Sequence, residues 1–249
     1  MNNIYIPSYN RHDKVRTYEY LGCGHIVVPE SQEKDYKKRY GSAVVSIPDK
    51  RDGSVAKKRN AVLDLIKENE ADGYGWVCDD DFIHLVRKKE NIKLSGEECL
   101  EHFERMYIMA KDMGANYGGF DYSSDNMKLK DYQPFSLTKQ IFYVALINVN
   151  DNIKYDERLK VNEDYEFFIQ KINEYRKLLR FNHTFMVKRD HGNKGGCADY
   201  RTLNREIEQL QILQNKWGKG IVKNDTTQRG KKKKSFDINP ILKIPIKGI

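Results

Sequence analysis

The sequence has no hydrophobic run long enough to cross a membrane. Spanning a bilayer takes roughly 20 consecutive apolar residues, and no stretch of this 249-residue chain approaches that length. The opening sequence MNNIYIPSYNR also lacks the basic and apolar regions of a secretory signal peptide. With 32% charged residues, the chain is expected to be soluble and cytoplasmic, without integral membrane association.

Cysteine is scarce, and its spacing does not indicate a metal site. The four cysteines, Cys23, Cys78, Cys99 and Cys197, form no CxxC pair and no zinc-ligand pattern. Disulfide frameworks and zinc ribbons depend on such spacings, so neither is predicted. We expect free, mostly structural thiols in a reducing compartment.

Proline is also sparse, with 6 residues, but three of the prolines close short apolar runs. The runs are residues 4–6, 26–28 and 43–47. Their length and composition are typical of buried strands. Ser54 is placed to cap a helix over residues 55–70, ahead of a further strand at 75–78. Strands alternating with helices predict an α/β fold, with a mainly parallel sheet flanked by helices.

The second half of the chain continues this alternation. Ser95 and Glu98 have the spacing of a capping box for a helix that Gly114 is placed to end. Further strands are predicted at 117–120 and 141–148, and further helices from about 162 or 163 and at 200–217. We therefore expect one domain.

Net positive charge is confined to the end of the chain. Residues 1–215 contain 34 Lys+Arg and 34 Asp+Glu, whereas residues 216–249 contain 10 basic and 2 acidic residues and so carry the formal net charge of +8. The predicted organisation is a domain at 1–217 followed by a basic C-terminal arm at 218–249. The run Arg-Gly-Lys-Lys-Lys-Lys at 229–234 suits phosphate neutralisation on a nucleic acid. A solvated terminus that aids solubility explains the run equally well.

Three consecutive carboxylates, Asp79, Asp80 and Asp81, follow the apolar run of the strand at 75–78. This position corresponds to the carboxyl edge of a sheet, where α/β proteins bind ligands. Clustered carboxylates favour Mg²⁺ or Mn²⁺, which proteins often share with substrate phosphates. A surface turn is the competing interpretation, because aspartate is common in turns and helix caps.

The order of three polar segments is more specific than the acidic cluster alone. Residues 6–11, Ile-Pro-Ser-Tyr-Asn-Arg, end the first strand, the three aspartates end a later one, and Asn162-Glu163-Asp164 opens a helix. This order resembles the GT-A glycosyltransferases over roughly residues 3–200. The resemblance also includes Arg59-Asn60, the segment 142–157 and His191.

The resemblance implies a GT-A-like, mainly parallel nucleotide-binding sheet and a set of site residues. The donor-binding residues that it implies are Pro7, Ser8, Arg11, Arg59, Asn60, Asp79 and Asp80. The implied ligands of Mn²⁺ or Mg²⁺ are Asp79, Asp81 and His191, and the cation neutralises the departing diphosphate of a nucleotide sugar. Asp164 is the implied catalytic base for the acceptor hydroxyl, and Glu163 orients the site or contacts the acceptor.

A narrower resemblance concerns the acceptor. The opening IYIPSYNR, the segment VVPE, the RNAVLDLI helix before CDDDF, and HGNKGG with Arg201 are similar to the TET-associated glycosyltransferases of bacteriophages. That resemblance implies transfer of a sugar, with UDP-glucose as the favoured donor, to 5-hydroxymethylcytosine or a related hydroxymethylpyrimidine in DNA. A phage-encoded protein would then act in the host cytoplasm.

Other functions remain open at this point. One is a transferase acting on a glycan, lipid or protein, with the basic arm touching an anionic membrane. Another is a non-catalytic DNA-binding accessory protein, which the presence of both Asp81 and Asp164 disfavours. A sugar nucleotidyltransferase is a further possibility, but the expected glycine-rich loop is missing from IPSYNR. The donor sugar, the base and the stereochemical outcome are not determined by the sequence.

Overall fold

The computed structural model describes residues 3–124, 129–188, 201–224 and 240–244, and a ten-stranded sheet lies at its centre. The strands of the sheet are β1 (Ile4–Pro7), β2 (His25–Pro29), β3 (Val44–Ile47), β4 (Tyr74–Cys78), β5 (Phe82–Arg87), β6 (Ile92–Lys93), β7 (Tyr117–Asp121), β8 (Phe135–Ser136), β9 (Val144–Asn148) and β10 (Leu179–Lys188). Their order is β3-β2-β1-β4-β9-β7-β10-β5-β6, and β8 pairs with β10.

The sheet is mostly parallel. Strands β1 to β4, β6, β7 and β10 run in one direction, while β5, β8 and β9 run against them. Strands β1 and β4 are adjacent and parallel, so their carboxyl ends lie at the same edge. This edge is where ligands bind in open α/β sheets.

Helices cover both faces of the sheet. They are α1 (Arg16–Leu21), α2 (Glu30–Tyr40), α3 (Val55–Asn69), α4 (Gly96–Asp112), α5 (Glu163–Tyr175) and α6 (Leu203–Trp217). Ile4 and Ile6 of β1 pack into a core with α1, α2 and α4, whereas Tyr5 between them packs into a second core with α3, α5 and α6. Side chains alternate between the faces of a strand, so each core occupies one face. The predicted α/β fold is confirmed.

Two helix starts follow the predicted capping chemistry. Ser54 Oγ accepts a hydrogen bond from the Lys57 backbone N–H at 3.2 Å, at the start of α3. Ser95 accepts from the Glu98 N–H at 3.2 Å, and the Glu98 carboxylate accepts from the Ser95 N–H at 2.7 Å, which completes a capping box. An N-cap of this kind stabilises a helix by about 1 kcal/mol, and the Ser54 cap fixes the start of the helix that carries Arg59.

Residues beyond α6 contact the core. Strands β11 (Val222–Lys223) and β12 (Ile241–Leu242) form a small antiparallel pair. Val222 is fully buried, and Leu242 and Ile244 pack against the core of α3, α5 and α6. The domain boundary at 217 stays a prediction, and the basic run at 229–234 lies outside the described residues. Within the part of the chain that the structure describes, no helix combines the length and apolar character needed to cross a bilayer.

Candidate active site

The site lies at the carboxyl edge shared by β1 and β4. Ser8 follows β1, Asp79 to Asp81 follow β4, and the N-terminus of α5 contributes Glu163 and Asp164. Arg59 on α3 connects the strand ends to α5. The three polar segments of the sequence therefore meet in one place.

Asp80 holds the loop that follows β1. Its carboxylate accepts a hydrogen bond from Ser8 Oγ at 2.6 Å and pairs with the Arg11 guanidinium. Tyr36 of α2 supports the same loop, because its hydroxyl lies 2.8 Å from Ser8 Oγ and accepts from the Arg11 backbone N–H at 2.8 Å. Burial raises the pKa of Asp80, and the charge of Arg11 opposes that shift. Asp80 thus positions the loop predicted to bind the nucleotide.

Arg59 connects the two acidic segments. The buried guanidinium donates to Asp79 Oδ1 at 2.5 Å and to Glu163 Oε1 at 2.8 Å. These partners lie 20 and 104 residues away in the chain. Next to Arg59, the Asn60 side chain donates to the Tyr155 carbonyl at 3.0 Å. The structure thus places both residues in hydrogen bonds within the protein, and their predicted contact with the donor stays a prediction.

Asp164 faces a small pocket beside Arg59. The pocket is lined by Arg59, Val77, Tyr117, Tyr143, Ala145, Tyr155 and Asp164. Burial raises the pKa of Asp164, and the charge of Arg59, which lines the same pocket, opposes the rise. The Asp164 Oδ1 atom accepts from the Tyr165 backbone N–H at 2.9 Å, which orients the carboxylate at the start of α5. A half-buried carboxylate with a raised pKa is suited to act as a general base.

Glu163 lies in a cluster that holds more carboxylates than Arg59 can neutralise. Burial, with the nearby charge of Asp164, raises the pKa of Glu163 to about 7, and the charge of Arg59 opposes the shift. One guanidinium cannot neutralise three neighbouring carboxylates, so Glu163 and Asp164 retain their protons to a higher pH than exposed acids do.

This titration predicts a pH-dependent difference between wild type and Glu163→Gln. The folded state binds the Glu163 proton more tightly than the unfolded state. The resulting stabilisation is fully present below pH 4.5 and is lost as the pH rises through about 7. The free energy of unfolding of wild type should therefore fall relative to that of the variant across this range. Urea denaturation at intervals from pH 4.5 to 8 measures the difference, and a difference that stays constant with pH would contradict the prediction.

Asp81 has an unsatisfied carboxylate oxygen. Its Oδ2 lies 3.9 Å from an Arg11 nitrogen, while its buried Oδ1 has no hydrogen-bond partner among the described residues. Burial, reinforced by the charge of Asp79, raises the pKa of Asp81 to about 6. Such an oxygen suits a divalent cation, since Mg²⁺ is commonly held by one or two carboxylates together with substrate phosphates.

The remaining predicted metal ligand, His191, lies outside the described residues. Among the residues that the structure describes, no three His, Cys, Asp or Glu side chains converge on a possible metal position. Within the part of the chain that the structure describes, Asp79 and Asp81 are the two remaining predicted ligands, and their role stays a prediction.

Two residues at the site carried no individual signal in the sequence. Tyr143 has a φ of 65°, a left-handed conformation that is rare for a bulky side chain. Its carbonyl accepts from the Asp79 N–H at 2.8 Å while its ring lines the pocket of Asp164. Lys188, at the end of β10, places Nζ 3.3 Å from the centroid of that ring. Each makes its contacts with residues distant in the chain.

Aromatic rings lie beside the Asp164 pocket. Phe142 lies between Tyr122 and Tyr165, with ring centroids 5.3 Å and 4.7 Å away. Tyr122 is 44% exposed, so part of this aromatic surface is open to solvent. Tyr9, in the loop after β1, lies next to Lys58, whose Nζ is 4.9 Å from its ring centroid.

Comparisons with solved structures give weak similarities. S. aureus TarS 1–349 has 13% identity and a TM-score of 0.46, with 74% of this chain and 60% of that chain covered. Its complex with UDP gives 13% identity, a TM-score of 0.45 and the same coverage. S. aureus TarS in a longer form gives 12% identity and a TM-score of 0.46, with 86% and 40% covered. This chain thus spans about 60% of the length of TarS 1–349.

The family comparison covers most of the chain. None of the curated proteins gives a significant match. The model of the TET-associated glycosyltransferase family matches residues 2–196. This range contains β1 to β10, both acidic segments and Arg59. The chain therefore belongs to the TET-associated glycosyltransferase family.

Proposed function

We propose that this protein is a metal-dependent glycosyltransferase that moves a sugar, with glucose from UDP-glucose as the favoured donor, to 5-hydroxymethylcytosine or a related hydroxymethylpyrimidine in DNA. The observation that carries the proposal is the pairing of Arg59 with both Asp79 and Glu163. This pairing joins the acids after β4 to the acids opening α5. A donor held by the first group would therefore lie beside a base from the second.

The proposed reaction needs one base and one stabilised leaving group. The hydroxymethyl oxygen of the acceptor attacks the anomeric carbon of the sugar, and its proton passes to a carboxylate oxygen of Asp164. The bond between the anomeric carbon and the diphosphate oxygen breaks, and its electron pair leaves with the diphosphate. Attack opposite the leaving group inverts the anomeric centre. The raised pKa of Asp164 brings the base closer to the pH at which a cytoplasmic enzyme works.

Two sets of residues form the donor side of the proposed site: the loop after β1 and the predicted metal ligands. Ser8 and Arg11 are held in place by Asp80 and form the loop expected to contact the nucleotide. Asp79 and Asp81, with His191, would hold Mn²⁺ or Mg²⁺. When bound, that ion supplies positive charge to the diphosphate. The buried Oδ1 of Asp81, which has no hydrogen-bond partner among the described residues, is the observation that supports a cation at this position.

DNA as the acceptor is supported by the family and by charge. Residues 216–249 contain 10 basic and 2 acidic residues, a balance suited to contacts with the phosphate backbone. A hydroxymethyl group on a stacked base reaches a catalytic pocket when the base is extruded from the duplex. The aromatic surface of Tyr122, Phe142 and Tyr165 lies next to Asp164 and suits such a base.

The test is an assay with defined acceptors. Purified protein is incubated with Mn²⁺, UDP-glucose and a duplex containing 5-hydroxymethylcytosine, and the DNA is digested to nucleosides for mass spectrometry. We expect a nucleoside heavier by one hexose, its loss on addition of EDTA, and no product from a cytosine duplex. Other UDP-sugars and a 5-hydroxymethyluracil duplex define the donor and the base. Modification of a glycan acceptor, with none of the DNA substrates modified by any donor, would overturn the DNA assignment.

A separate measurement addresses the binding-only alternative. Slow release of UDP from UDP-glucose in the absence of acceptor should be detectable and should disappear in Asp81→Ala. Replacement of Arg229 and of the four lysines at 231–234 by glutamine should leave that hydrolysis in place while it weakens DNA binding, and it keeps Leu242 and Ile244 on the core. A protein that binds DNA but never cleaves a nucleotide sugar would instead fit an accessory role.

A further inference from the structure

Lys188 lies where the donor and acceptor sides of the site meet. It is the last residue of β10, and its backbone is paired with Phe82 of β5, the residue that follows Asp81. The strand register shifts between Val187 and Lys188. Irregularities of this kind redirect a side chain and are common beside active sites. The local backbone thus turns Lys188 away from the regular alternation of β10.

The side chain of Lys188 extends over the pocket of Asp164. Its Nζ is 3.3 Å from the ring centroid of Tyr143, which lines the pocket with Asp164. Tyr143 is anchored to the acidic segment by the hydrogen bond from the Asp79 N–H to its carbonyl. Lys188 thus lies above the pocket of Asp164, and the pairing of its backbone with Phe82 places it beside the segment that carries Asp81.

The ammonium group retains capacity to bind an anion. Among the described residues, Lys188 Nζ donates no hydrogen bond, and its close contact is the face of Tyr143. An ammonium has three donors, and a half-buried one gains strongly from charged oxygen acceptors such as phosphate. Arg59 and Arg11, by contrast, are paired with protein carboxylates.

We propose that Lys188 binds the diphosphate of the nucleotide-sugar donor and stabilises the charge that develops as the bond to the sugar breaks. The proposal rests on the proposed function for the class of donor. A cation aimed at the leaving group contributes more in the transition state than in the ground state, because the charge on the diphosphate grows during bond cleavage. Tyr143 holds the ammonium above the pocket before the donor arrives.

A purely structural role predicts a different pattern of effects. If Lys188 served only to balance Asp81 and Asp164, its loss would disturb the whole site and weaken the binding of any ligand there. If it contacts the diphosphate, its loss should affect ligands that carry phosphates and spare those without them. Uridine and UDP separate these cases, since they share the nucleoside and differ only in the diphosphate.

The experiment uses full-length protein with Lys188→Met, Lys188→Arg and the control Lys89→Met. Lys89 is an exposed lysine paired with Asp131 at 3.0 Å, and it is not one of the residues of the candidate site. Calorimetry with UDP and with uridine, each with Mn²⁺, gives the affinities. We expect Lys188→Met to weaken the binding of UDP by about tenfold and to leave the affinity for uridine unchanged. We expect Lys188→Arg to retain most of the UDP affinity and Lys89→Met to match wild type. Where transfer is measured, kcat of Lys188→Met should fall by more than its KM for the donor changes.

The outcomes separate the two proposals. Equal affinity of wild type and Lys188→Met for UDP, or parallel loss of UDP and uridine binding, would overturn the role of Lys188 and leave the transferase intact. A wild-type protein that binds no nucleoside diphosphate would overturn the proposed function, and the role of Lys188 with it. Thermal unfolding of each variant checks that Lys188→Met is folded, and Lys188→Arg tests the same charge with a shape closer to the native side chain.

Discussion

Asp164→Asn should lower the rate of sugar transfer by about 10²- to 10⁴-fold, the range expected on removal of a general base. Asparagine has nearly the same shape as aspartate, and its carbonyl oxygen can still accept from the Tyr165 N–H, a bond of 2.9 Å in the native site. The amide cannot take the acceptor proton. The loss should therefore appear in kcat, with little change in UDP affinity.

The measurement compares kcat, UDP affinity and the melting temperature of three variants. Asp131→Asn is the matched control, because Asp131 is an exposed aspartate paired with Lys89, and its rate should equal that of wild type. Glu163→Gln tests the neighbouring carboxylate, and a smaller loss is expected because Glu163 is paired with Arg59. If Asp164→Asn keeps its rate and Glu163→Gln loses it, the base is Glu163.

Arg59→Met should lower the free energy of unfolding by about 3–5 kcal/mol, which is typical when one partner of a buried ion pair is removed. Arg59 is 5% exposed and neutralises both Asp79 and Glu163. Methionine fills part of the space but leaves the buried Glu163 and the partly exposed Asp79 without this cation. For a chain of this size the expected fall in melting temperature is about 10 °C.

Thermal and urea unfolding measure this effect. Arg105→Met is the control, since Arg105 forms an exposed pair with Glu101 at 3.3 Å, and such pairs contribute about 0–1 kcal/mol. The double variant Arg59→Met with Glu163→Gln should recover part of the loss, because it removes one of the stranded charges. A melting temperature for Arg59→Met within about 2 °C of wild type would contradict the expected effect. It would mean that this guanidinium does not hold the two carboxylates.

Local rules were sufficient to predict many elements of the fold from the sequence. Strands β1 to β3 are apolar runs closed by Pro7, Pro29 and Pro48, and each forms close to its predicted bounds. Ser54 and Ser95 cap α3 and α4 as their spacing indicates. These elements are readable because their determinants lie within four residues of one another.

Elements without local determinants were not predicted. Helix α2 buries only Tyr36 and Tyr40 and is otherwise polar, so its sequence carries little helical periodicity. Strand β10 has polar residues such as Asn182 and His183 in its middle, and its pairing with β5, β7 and β8 defines it. Tertiary contacts, which a single sequence does not show, specify both.

The candidate site also combines residues that the sequence predicts with residues that only the structure reveals. The resemblance to known transferases brings Ser8, the three aspartates and Glu163 together as a set, and the structure places these segments at one edge. The sequence does not show which residues of this set pair with one another, because the bond from Arg59 to Glu163 joins residues that are 104 positions apart. Lys188 has no such signal in the sequence, since the contact with Tyr143 that underlies its proposed role depends on tertiary structure.

The left-handed backbone of Tyr143 has a consequence for efforts to make the enzyme more heat-resistant. A bulky residue in this conformation costs of order 1–3 kcal/mol of folding free energy, and a glycine there would adopt the same φ of 65° freely. The same exchange removes a ring that packs against Phe142, with 5.8 Å between the ring centroids, and that lies beneath Lys188. Truncation of a packed aromatic side chain costs about 3–5 kcal/mol, which exceeds the strain that glycine would relieve. A screen for heat resistance should therefore retain tyrosine here.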